Sequence, residues 1–111
     1  MKKILIVDDD HTVCCLVKEI LENEGYYSDI SHDVIEATNL LKNTDYDLII
    51  LDIMMSWMSG YDFCSVLKKM PTTENIPVIF LSAKNGSEDI GKAMNLGAYD
   101  YIQKPFKYPI L

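Results

Sequence analysis

An α/β fold built on a doubly wound parallel sheet is what this chain predicts, and two observations carry the prediction. Short apolar runs recur at Lys3 to Val7, Tyr26 to Ile30, Leu48 to Leu51, Pro77 to Leu81 and Tyr99 to Ile102, and segments of helical spacing separate them. Three of the runs (ILIV, LIIL and VIFL) are continuous rather than alternating. Strands buried on both faces read this way, and such strands belong to parallel sheets covered by helices. A strict β-α-β alternation with short connections, combined with right-handed crossovers, leaves an open doubly wound sheet as the sensible architecture.

The elements follow in order. After the first run, Val13, Leu16, Val17, Ile20 and Leu21 form a helical stripe that Gly25 closes as a C-terminal cap. Val34, Ala37, Thr38 and Leu41 form a second stripe, and Phe63, Val66, Leu67 and Met70 form a third that Pro71 stops. Ile90, Ala93 and Met94 form a weaker fourth, with Gly91 inside it and Gly97 at its end. Neither a repeat nor a low-complexity segment interrupts the pattern.

Size and composition narrow the function. The 111 residues suffice for one domain, spanning 1–111. A chain of this length buries roughly 65 % of its unfolded surface, so its core needs neither metal nor disulfide. Seventeen acids against ten bases, a net charge of −7, argue against a nucleic-acid-binding surface. Arginine is absent, so phosphate chemistry must use lysine, backbone amides or a metal. No apolar run approaches the ~20 residues of a membrane span. The apolar stretch after Met1-Lys2-Lys3 runs into three acids within a few residues, which excludes a signal peptide. Cys14, Cys15 and Cys64 are odd in number and lack metal spacing, so they read as free thiols in a reducing cytoplasm. Cys14 and Cys15 read as small buried or half-buried helix residues.

In an open parallel sheet, ligands bind outside the carboxyl ends of the strands. The first run ends in Asp8, Asp9 and Asp10, the third in Asp52, the fourth in Ser82 and the fifth in Lys104-Pro105. Each residue alone fits an ordinary role: Asp9 or Asp10 caps a helix, Asp52 ends a strand, Ser82 forms a turn, and Lys104 is a solvated base. Together they place several carboxylates, a hydroxyl and a cation in one region. Carboxylates so close repel by about 4 kcal/mol per pair at 4 Å and an effective dielectric of 20. Such a group needs a cation or a shared proton. Oxygen ligands with no His or Cys nearby select a hard ion such as Mg²⁺.

The segments ILIVDDD, LIILDIMM, IFLSAK and GAYDYIQKPF resemble the receiver domain of bacterial two-component response regulators, from Lys3 to Phe106. The resemblance implies a flavodoxin-like, five-stranded parallel sheet of order 2-1-3-4-5. It implies that Asp52 is the phosphoacceptor, taking its phosphoryl group from the phosphohistidine of a sensor histidine kinase or phosphotransfer protein. Asp8 and Asp9, with Asp52 and the backbone carbonyl of Met54, correspond to the Mg²⁺ ligands. Lys104 corresponds to the base that pairs with Asp52 and then with the phosphoryl oxygens, Ser82 to the switch hydroxyl and Tyr101 to the coupled aromatic. A downstream output domain or partner protein would read the switch. Met54 and Lys84 stand where this family positions its hydrolytic water, and neither suits that task, so a long-lived phosphorylated state is implied.

Departures accompany the resemblance. Ser56 replaces the usual proline four residues after the phosphoacceptor, and Trp57 follows it as a loop-packing residue or partner anchor. The chain stops at Leu111, where a receiver continues into a fifth helix. A truncated fifth helix and a missing output domain are therefore expected, with Ile4, Ile6 and Ile102 exposed or hidden by self-association. Two other functions remain open at this level. A Mg²⁺-dependent phosphohydrolase of the haloacid dehalogenase type needs a second Asp two residues after its nucleophile, where Asp52 has Met54. A pseudo-receiver would lack members of the site.

Overall fold

The computed structural model describes residues 2–53, 55, 58–82, 95 and 99–103. Its elements run β1 (Lys3–Val7), α1 (His11–Asn23), β2 (Tyr27–Ser31), α2 (Val34–Asn43), β3 (Leu48–Asp52), α3 (Gly60–Lys69), β4 (Val78–Ser82) and β5 (Asp100–Gln103). The strands form one sheet of order β2-β1-β3-β4-β5, with every neighbouring pair parallel. The α/β class and the 2-1-3-4-5 order are therefore as expected. The fourth helix expected around Ile90, Ala93 and Met94 lies outside the described residues, as does any fifth helix.

Period-two alternation divides the strand side chains between two cores. Leu5 and Val7 of β1, Ile49 and Leu51 of β3, and Val78 and Phe80 of β4 face α2 and α3. There they meet Ala37, Phe63, Cys64 and Leu67, and the Tyr61 ring lies edge-on to Phe80 at 5.3 Å. Ile4, Ile6, Ile50 and Leu81 face the other way, against Cys14, Val17 and Leu21 of α1. Burial of each such aliphatic side chain contributes roughly 1.5–3 kcal/mol.

Caps set the helix ends. The Asp10 carboxylate accepts from Thr12 N and Val13 N at 3.0 and 3.2 Å, opening α1. Asp33 accepts from Glu36 N at 2.8 Å to open α2, and Ser59 Oγ from Asp62 N at 3.2 Å to open α3. Gly25, at φ 89°, ends α1 in the left-handed region. Its N–H bonds Glu22 O and that of Tyr26 bonds Leu21 O, both at 3.0 Å, the paired closure that a glycine makes possible.

Several expectations need correction. Three strands, β2, β4 and β5, begin one residue later than their apolar runs, because the hydrogen-bond ladder, not hydrophobicity, sets strand ends. Leu16 and Val66 are 46 % and 44 % exposed although helical spacing puts both in core stripes. Each stands one residue before a core position (Val17 and Leu67), which turns it about 100° around the helix. Cys14 and Cys64, small and neutral in pattern, fill the core instead, both fully buried. Met70 is the C-cap of α3 and also exposed. Cys15 is exposed rather than buried. Ile4 and Ile6 are buried and Ile102 half-buried, so the exposed strip expected on this face is not there. A groove of about 450 Å³ lies at the amino ends of the strands, between Leu21, Leu48, Pro77, Ile79 and Tyr99.

Candidate functional site

The site forms where β1 and β3 end. These strands are paired with Val7 opposite Leu51, so the next residues, Asp8 and Asp52, lie side by side at the carboxyl edge. Asp9 follows as the chain turns toward α1. One carboxylate oxygen from each of Asp8, Asp9 and Asp52 lies within 4.8 Å of the others. Asp8 is 1 % and Asp52 5 % exposed, whereas Asp9 faces solvent. Two buried carboxylates at this separation repel by about 3 kcal/mol or more at an effective dielectric of ~20 when both are ionised. The all-oxygen donor set and the partial burial fit a hard divalent cation, which lifts that repulsion.

The surroundings hold the acids in place. Asp10 N donates to Asp8 Oδ1 at 2.9 Å, so the residue that caps α1 also orients the buried carboxylate. Asp8 N donates to Ser31 O at 3.0 Å, extending the β1–β2 ladder one step past the strands. The sequence reading expected no His or Cys near the acids, and that is corrected. His32 Nδ1 and Cys14 Sγ lie 3.1 and 3.2 Å from the Asp8 carbonyl oxygen. Parallel pairing with β2 delivers His32 to this point, and the first turn of α1 delivers Cys14. Both touch the backbone; the carboxylate set remains the three aspartates.

Gly60 is a residue the sequence reading missed. A side chain there would collide with the Asp52 carbonyl oxygen and come within 2.8 Å of Ile53 Cα. The bare Cα lets α3 start directly against the end of β3, with Gly60 N donating to Ile53 O at 2.7 Å. Gly60 thus lies directly against the end of the preceding strand. Its only sequence signal is a glycine just after a serine able to cap a helix.

The other expected site residues divide by position. Ser82 ends β4, which pairs with β3 through Asp52 and Leu81, so its backbone lies at the same edge of the sheet. Tyr101 lies in β5 opposite Phe80. The side chains of Ser82 and Tyr101, and all of Met54, Ser56, Trp57, Lys84 and Lys104, lie outside the described residues. Among the described residues no helix is long and apolar enough to cross a membrane.

Comparison with known proteins agrees with this arrangement. Residues 4–111 match the family model of the response regulator receiver domain. The chain is 42 % identical over 106 residues to the transcriptional regulatory protein CpxR of Escherichia coli, covering 96 % of this chain and 44 % of that protein. It is 38 % identical over 104 residues to a probable transcriptional regulator, ycf29, of Pyropia yezoensis, covering 94 % and 47 %. It therefore spans a little under half the length of these curated relatives. A crystal structure of a two-component response regulator from Clostridium difficile superposes with a TM-score of 0.91 at 32 % identity, covering 99 % of this chain and 88 % of that one. A chemotaxis protein from Vibrio cholerae superposes with a TM-score of 0.90 at 27 % identity, covering 96 % and 89 %. A five-stranded 2-1-3-4-5 sheet with three aspartates at its carboxyl edge, together with these matches, establishes that the chain belongs to the response regulator receiver domain family.

Proposed function

We propose that residues 1–111 act as one phosphorylation-driven receiver in which Asp52 accepts the phosphoryl group. The convergence of Asp8, Asp9 and Asp52 within 4.8 Å at the ends of β1 and β3 carries the reading. The donor is the phosphohistidine of a sensor histidine kinase or phosphotransfer protein. An Asp52 oxygen forms the new bond to phosphorus while the P–N bond breaks, and the departing imidazole keeps the electron pair and takes up a proton. Such a transfer depends on positioning and charge neutralisation more than on covalent chemistry. Asp8 and Asp9, with Asp52 and the Met54 carbonyl, would hold Mg²⁺. When bound, the ion neutralises the phosphoryl oxygens and the clustered acids. Lys104 supplies the second positive charge, first to Asp52 and then to the phosphoryl group.

The new dianionic group then recruits the Ser82 hydroxyl as a donor, and Tyr101 turns into the space that Ser82 leaves. One local charge thereby biases a two-state element, the pattern of a switch rather than of a turnover enzyme. An output domain or separate protein reads the altered surface, and the chain works in the bacterial cytoplasm without touching nucleic acid or membrane itself. Incubation with acetyl phosphate and Mg²⁺, followed by intact mass measurement, tests the assignment. A single adduct that disappears in Asp52→Ala supports it. An adduct that persists in that variant, continuous phosphate release, or no reaction by the wild type overturns it.

A further inference from the structure

We infer that His32 is a positioning residue for the acidic cluster, acting by holding the peptide bond that joins Asp8 to Asp9. The inference rests on the reading of these acids as the metal-holding pair. His32 Nδ1 lies 3.1 Å from the Asp8 carbonyl oxygen. Two lone pairs facing each other at that distance would repel, so Nδ1 carries the hydrogen and donates it. Cys14 Sγ approaches the same oxygen at 3.2 Å and lies 3.8 Å from Nδ1. Imidazole and thiol therefore converge on one carbonyl. That carbonyl fixes the plane of a peptide whose two ends bear the Asp8 and Asp9 side chains, so a single anchor sets the directions of two of the three acids.

The ring is itself restrained. His11 stacks on it with centroids 3.8 Å apart and planes 18° from parallel, linking the start of α1 to the turn after β2. His32 is half-buried and belongs to neither core cluster. Its contacts include the Asp8 carbonyl oxygen, Cys14 Sγ and the His11 ring. Outer hydrogen-bond partners of metal-holding groups commonly govern affinity by 10–100-fold.

Two positional isosteres separate this role from general packing. The amide nitrogen of asparagine takes the place of Nδ1, whereas that of glutamine extends toward the place of Nε2. Mg²⁺ affinity is read by calorimetry for the wild type, His32→Asn and His32→Gln, with the melting temperature in EDTA as the control. His32→Asn should bind Mg²⁺ as the wild type does, and His32→Gln should bind it about tenfold more weakly at an unchanged metal-free melting temperature. Wild-type affinity in His32→Gln, or equal losses in both variants, overturns the role while leaving the metal reading intact. A wild type that binds no Mg²⁺ overturns the metal reading and this inference with it. If His32→Gln lowers the metal-free melting temperature, His11→Ala takes its place, since it removes only the exposed stacking ring. Weakened Mg²⁺ binding then supports the role, and unchanged binding overturns it.

Discussion

At the amino end of the sheet, the Asp47 carboxylate accepts a hydrogen bond from Lys3 N at 2.8 Å, and on the β2 flank Asp29 accepts one from the Tyr46 hydroxyl at 2.6 Å. At the carboxyl end, Asp8, Asp9 and Asp52 instead face one another within 4.8 Å. The first arrangement matches each acid with a donor and ties a loop to a strand, which is what a structural carboxylate does. The second brings like charges together at the place where open α/β sheets bind ligands, and a positive charge there relieves their repulsion. Acidic residues are plentiful in this chain. What separates the site acids from Asp47 and Asp29 is that Asp8, Asp9 and Asp52 also lie within reach of one another.

The largest expected effect follows from that contrast. Asp52→Ala should abolish the phosphoryl adduct formed with acetyl phosphate and leave the circular dichroism spectrum unchanged, while Asp29→Asn should keep the adduct. Next in size is the response to Mg²⁺, which should stabilise the fold by about 2.7 kcal/mol when the free ion is 100 times its dissociation constant. Thermal melts with and without the ion measure this. Asp9→Asn should shrink the increment and Asp29→Asn should not; an equal increment in both would erase the distinction between the two ends.

Gly60→Ala should cost about 1–3 kcal/mol in urea unfolding, because the added methyl must push the start of α3 away from the Asp52–Ile53 backbone. It should also slow phosphorylation, since the displaced backbone is that of the phosphoacceptor. A smaller effect is expected at the structural end. Tyr46→Phe removes the donor to Asp29 and should cost about 1.5 kcal/mol without altering the Mg²⁺ increment. Burial, and then the bond to Asp29, raise the Tyr46 phenol well above its usual value of 10.0. A raised phenol favours the folded state while it stays neutral. Its contribution is complete below about pH 10 and is lost as pH rises from there toward the raised folded value. Alkaline unfolding should therefore be shallower in Tyr46→Phe than in the wild type. Least of all, Cys15→Ser at an exposed position should change stability by no more than about 0.5 kcal/mol, in contrast to its fully buried neighbour Cys14.

The two-sided burial of the strands and the acids at their carboxyl ends were legible in the sequence because each depends on local pattern. The strand order and the choice of Asp8, Asp9 and Asp52 came only with the resemblance to the receiver family. Continuous apolar runs mark strands covered on both faces, and acids directly after such runs must sit at the carboxyl edge. Helix faces were less legible. Leu16 and Val66 looked like core by hydrophobicity, but the short cysteines beside them fit the space against the sheet, and only packing reveals that space. Tertiary structure alone decided what holds the acids. Gly60 matters because α3 returns to touch β3, and His32 matters because β2 runs parallel to β1 and ends beside Asp8. Both contacts run through a backbone carbonyl, and the one from His32 to Asp8 joins segments well separated along the chain. No residue pattern announces a carbonyl's partner, because every residue carries the same one.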